Sequence, residues 1–88
     1  MKTLLLACPN EWKKIRLLLT ALLKKKLISS AKVLNYAKDY RLSPDGKIIK
    51  TEQKLILITY EGEKSEIFNL MNKIDSNFPI EELTSFPS

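Results

Sequence analysis

The chain contains no histidine, and that absence limits what its reactive side chains can do. It removes the commonest general base and the commonest metal ligand. Ser29, Ser30 and Ser65 therefore have no imidazole to activate them. No glycine-rich phosphate loop or paired-acid spacing is present either, so no enzyme is expected. Cys8 is the only cysteine. As a soft copper ligand it would need a second thiolate, a thioether or an imidazole, and only Met1, Met71 or the Cys8 of symmetry-related copies could supply one. A metal role for Cys8 and a buried structural thiol are the two expectations. Glu61, Glu63 and Glu66 gather where a second helix should begin, a place that suits the helix dipole and could hold a hard cation weakly. Glu81 and Glu82 read as solvated charge. Tyr36, Tyr40 and Arg41 could form a base-stacking patch on a sheet. RNA-recognition modules, however, carry aromatics on their third strand, and "KIIKTEQKLILI" has none. Tyrosines at a hairpin base or a subunit interface are the preferred reading.

These residues are positioned by a simple alternation of elements. Residues 2–8 read as a buried strand. Over residues 11–27 a period near 100° per residue places Trp12, Ile15, Leu18, Leu19, Leu22 and Leu23 on one broad face. Lys13, Lys14, Lys24 and Lys25 then fall on the flanks and the far side, with Asn10 as N-cap and the Lys24–Lys26 triplet in the last turn. Arg16 and Thr20 interrupt the apolar run well before the ~20 residues needed to cross a bilayer. Leu17 projects toward the polar side and suggests a contact beyond the monomer's core. Residues 27–42 read as a long second strand, "SPDG" at 43–46 as a turn with Gly46 able to take positive φ, and residues 47–60 as a third strand. Ile67, Leu70, Met71 and Ile74 repeat with helical spacing over residues 63–76, and residues 80–86 supply a last strand.

The order is β-α-β-β-α-β. It predicts an α+β, ferredoxin-like sandwich in which a four-stranded antiparallel sheet carries two helices on one face. The strands flanking the turn exceed the usual ~5–6 residues, so their hairpin must project past the helices and leave edges to cover. An 88-residue chain is expected to form one domain, residues 1–88, whose core buries roughly 60–65% of the unfolded surface and is marginal without association. A lone thiol and no recognisable signal peptide point to the cytoplasm. Fifteen basic residues against ten acidic ones leave a net charge of +5, which permits anionic partners without requiring them.

Within this layout the local sequences resemble the CutA family, the divalent-ion tolerance proteins. "ACPNE" (residues 7–11) resembles the family's strand-to-helix corner, and "LLTALLKKKLISS" (18–30) the stretch that follows. "YRLSPDGKI" (40–48) is similar to the family's Y-x-W-x-G-K-I hairpin, with an extra residue and no tryptophan. "TEQKLILIT" (51–59) matches its E-V-L-L-x-I-K-T strand, and "NFPIEEL" (77–83) resembles H-P-Y-x-x-P-E-I. The likeness thus runs in order along nearly the whole chain. It implies a compact homotrimer whose long hairpins pair with neighbouring subunits, with Tyr36, Tyr40, Ile48, Ile49 and Leu17 as interface candidates. It also implies a non-catalytic role in tolerance of copper and other divalent cations. The family's mid-chain cysteine falls on Ser30, its histidine near Ser76 or Asn77, and its lysine before threonine on Ile58. Its further C-terminal segment lies beyond Ser88, so a weaker trimer or another oligomer is the alternative assembly. The competing function is a ferredoxin-like module binding RNA or a small ligand. No membrane partner is expected.

Overall fold

The computed structural model describes residues 1–86, and at Tyr36 only the backbone. Six elements follow in order: β1 (Lys2–Pro9), α1 (Trp12–Lys24), β2 (Ser30–Leu42), β3 (Ile48–Tyr60), α2 (Lys64–Ile74) and β4 (Glu81–Phe86). The sheet has four strands in the order β2-β3-β1-β4, and every pairing is antiparallel. This is the expected ferredoxin-like sandwich.

The core lies between one face of the sheet and both helices. On β1 the alternating Leu4, Leu6 and Cys8 point to it, and their partners across the ladder are Ile58, Ile56 and Lys54. From α1 come Ile15, Leu18 and Leu22, and from α2 Ile67 and Met71, which meet the strand residues in one cluster. Leu4, Leu6, Ile15, Leu22, Ile58 and Ile67 are fully enclosed. Each contributes on the order of 1.5–3 kcal/mol by leaving water. Trp12 and Leu23 depart from the helical-wheel expectation. Trp12 remains 50% exposed because it sits at the first turn, at the rim of the sheet, where the Lys54 ammonium lies 5.7 Å from its ring centroid. Leu23 is 43% exposed on the flank of α1.

Both ends of α1 also differ from expectation. Glu11, not Asn10, is the N-cap, and its side chain caps nothing. The helix stops at Lys24 with a Schellman turn: Lys26 N–H donates to the Leu23 carbonyl and Leu27 N–H to the Leu22 carbonyl, both at 3.0 Å. Lys26 takes the left-handed conformation, φ 58°, that this turn demands. Only Lys24 of the triplet lies in the last helical turn. Leu27 packs back onto the core beside Leu22, the apolar contact that usually accompanies such a turn. The two helices are tied by an ion pair from Lys14 to Asp75, which raises the pKa of the ammonium and lowers that of the carboxylate, chiefly through the hydrogen bond between them.

Beyond the core, β2 and β3 run on as a ribbon. β1 ends opposite Gln53, so β3 from Ile48 to Glu52 pairs with β2 alone, an overhang of roughly 16 Å. Its turn is closed by Ser43 N–H to the Lys47 carbonyl (2.7 Å) and Gly46 N–H to the Ser43 carbonyl (2.9 Å), with Gly46 at φ +85° as expected. Among the described residues no helix is long and apolar enough to cross a membrane.

Candidate assembly interface

Among the described residues the second face of the sheet carries no helix. Its composition follows from the register. Leu34, Leu55, Ala7 and Glu81 stand side by side across the four strands; so do Lys32, Leu57, Leu5 and Thr84, and then Ser30, Thr59, Thr3 and Phe86. Ala7 is buried, Leu5, Leu55 and Leu57 are half-buried, and Leu34 and Phe86 are 50% and 55% exposed. A patch with apolar residues on all four strands is therefore left to water on one side.

The ribbon curls toward this face. Its register slips between Leu34 and Ala37, where β2 carries an extra residue, and such a bulge bends a strand and strengthens its twist. The Asn35 side-chain oxygen accepts a 3.2 Å hydrogen bond from Lys54 Nζ there. Further along, Arg41 pairs with Asp39 on its own strand and donates through Nη2 to Glu81 Oε2 on β4 at 3.0 Å. The Asp39 hydrogen bond is the main cause that raises the Arg41 pKa, with Glu81 adding to it. Arg41 so closes one end of a cleft of about 300 Å³ floored by Ala7 and Pro9 and walled by Gln53 and Ile80. Its guanidinium is already occupied by two carboxylates, so among the described residues the cleft has no free cation to recognise an anionic ligand.

The interface candidates fall on different surfaces. Ile48 and Ile49 are 75% and 49% exposed and lie on opposite faces of the ribbon. Tyr40, 62% exposed, shares a face with Ile48, and Leu17, 55% exposed, stands on the outer side of α1 and not on the ribbon. The Tyr36 side chain is outside the described residues. Tyr40 and Arg41 point to opposite faces of β2, so they do not form one stacking patch. Sequence reasoning missed Leu34, Leu42, Leu83 and Phe86, all exposed. Leu34 could have been found from strand alternation, because it falls on the parity opposite the core, whereas Phe86 shares its parity with the core-packed Ile80 and reaches the open face only through the register shift between β1 and β4. Glu81 and Glu82, read as solvated charge, each hold an ion pair, with Arg41 and with Lys64 respectively.

Cys8 is 1% exposed on the core side of β1, with its Sγ 3.8 Å from the Lys54 carbonyl. Burial pushes its pKa up to about 11, partly offset by the Lys54 charge, which disfavours the thiolate that a soft metal binds. Among the described residues no three histidine, cysteine, aspartate or glutamate side chains are grouped to hold a metal ion, and Glu61, Glu63 and Glu66 are all exposed. These donors do not fit a tight resident copper.

The class defined by this architecture is the ferredoxin-like βαββαβ sandwich with an overlong hairpin. Among solved structures the same arrangement recurs in the CutA proteins. The periplasmic divalent cation tolerance protein CutA of Archaeoglobus fulgidus superimposes with a TM-score of 0.75 at 17% identity, over 100% of this chain and 84% of that one. CutA1 of the psychrotrophic bacterium Shewanella sp. SIB1 gives 0.76 at 15% identity, over 99% and 80%, and CutA of Xylella fastidiosa 0.75 at 15%, over 99% and 83%. No family model and no curated protein sequence matches the chain. The chain has the CutA fold.

Proposed function

We propose that the chain is a non-catalytic, CutA-type protein that completes itself as a homotrimer and serves tolerance of or response to divalent cations, copper among them, in the cytoplasm. The observation that carries the assembly is the helix-free sheet face, with apolar residues on each of its four strands, beside a ribbon whose edge is unpaired. An uncovered face of this kind is rare on a monomer and marks an interaction surface. An unpaired edge invites strand addition from a neighbour. Likeness of fold to proteins named for divalent cation tolerance supports the cation role. That role does not require a tightly held metal, and the donor set favours none.

Leu34 and Phe86 test the interface cleanly because both are exposed in the monomer, so changing them leaves the core intact. Leu34→Glu with Phe86→Glu should convert the assembly to monomers in sedimentation velocity, at unchanged far-ultraviolet circular dichroism. An assembly that survives both charges uses another surface.

A further inference from the structure

Charge in this chain is segregated. From Trp12 to Lys38 there are eight of the fifteen basic residues and none of the ten acidic ones. The remainder therefore holds seven basic residues against ten acidic, and is net negative. Half of those eight sit on α1. Lys13, Arg16, Leu17, Thr20 and Lys24 follow the i, i+3, i+4, i+7, i+11 spacing and form one stripe, opposite the buried Ile15, Leu18 and Leu22. Lys25 and Lys26 extend it past the helix end. Among the described residues only Lys14 of this group has a carboxylate partner, Asp75, at the edge of the stripe. Leu17 stands in the middle of the cations, 55% exposed, with Leu23 (43%) and Trp12 (50%) on one flank.

We propose that the outer face of α1 docks the protein onto the headgroup layer of an anionic phospholipid membrane. This departs from the expectation of no membrane partner, which rested on the absence of a spanning segment; a helix can lie on a bilayer without crossing it. The lysines and Arg16 meet anionic headgroups, each such contact adding to the attraction, while Leu17 enters the boundary below them. The apolar residues decide between polyanions: a phosphate backbone offers a leucine nothing, whereas the acyl boundary buries it. Shape decides against a protein groove, because this face is the convex back of a helix with only a shallow depression beside Leu17. The proposal does not rest on the trimer, although several copies would bind more tightly than one.

Co-sedimentation with vesicles of phosphatidylcholine, and of phosphatidylcholine with an equal part of phosphatidylglycerol, tests it at about 0.1 M salt, where screening acts beyond ~10 Å. Binding should favour the anionic vesicles at least tenfold and weaken as salt rises. Lys13→Glu with Arg16→Glu should lose most of that preference, and Leu17→Ser several-fold of it at unchanged charge. Lys47→Glu with Lys73→Glu, the same charge change elsewhere, should bind as the parent does. Equal thermal midpoints and equal masses by light scattering show that fold and assembly are intact. No preference for anionic vesicles overturns the proposal. So does equal loss in the Lys47/Lys73 variant, which would make net charge the only cause. Equal retention on a duplex oligonucleotide with Leu17→Ser silent also overturns it and assigns the stripe to nucleic acid.

Discussion

The Cys8 thiol is set by its surroundings, not by its chemistry. Burial between β1 and the helices raises its pKa from 9.0 to about 11. A raised folded-state pKa means that the native protein keeps a proton the unfolded chain gives up. The resulting stability is complete below about pH 9 and is lost as pH rises toward about 11. Over that window the parent should lose roughly 2–3 kcal/mol more than Cys8→Ala in denaturant titrations, a difference that cancels the lysine titrations both proteins share. At neutral pH the same substitution should cost about 1 kcal/mol through the cavity it opens. Reduced protein titrated with Cu(I) or Zn(II) against a chelator should show no stoichiometric nanomolar binding. Nanomolar binding that disappears in Cys8→Ala would make Cys8 a ligand. Asp75 works in the opposite sense: Lys14 lowers its pKa, so its contribution is present above the ordinary carboxylate range and is lost as pH falls below it. Asp75→Asn should therefore flatten the acid limb of the stability curve and leave neutral pH less stable.

Element boundaries were readable wherever turn chemistry was local. Gly46 at positive φ, the Pro44 turn and the helical repeat of α2 fell where spacing placed them. The end of α1 did not, because a lysine occupies the left-handed position where glycine is usual, and nothing in the residue types announces it. That strain predicts a gain: Lys26→Gly should stabilise the protein by about 1 kcal/mol in thermal or denaturant unfolding, since a non-glycine residue in this region costs on that order. No change or a loss would mean that the lysine side chain contributes more than its backbone costs. Trp12 was misplaced for a different reason. Helical periodicity gives a face but not where the sheet beneath it ends, and Trp12 overhangs that rim. The ribbon makes a sharper forecast. Ser43 N–H bonds to Lys47, so alternation along an antiparallel ladder makes Arg41 and Ile49 the next bonded pair and turns the Ile48 N–H outward. Ile48→Pro should then leave the hairpin intact by circular dichroism yet remove an outward donor, dissociating any assembly that pairs along this edge.

At the scale of the whole molecule the likeness to CutA, read from short motifs in order along the chain, holds as fold, at 15–18% identity to the solved structures. The proposed interface was only half legible. Its ribbon announced itself by length, while the sheet face needed the register that sets Leu34 beside Leu55 and Ala7. The long axis of 43 Å against a short one of 21 Å, with an apolar sheet face and an unpaired ribbon edge, is the shape of a subunit more than of a finished particle. Its core is small, and under the proposed assembly, covering that face with copies of itself would supply the burial that a chain of this size lacks. The molar mass in solution tests this account most directly. Size exclusion coupled to light scattering, run as a dilution series down to micromolar protein, should give about three times the 10.1 kDa chain mass. A single-chain mass throughout the series would contradict it.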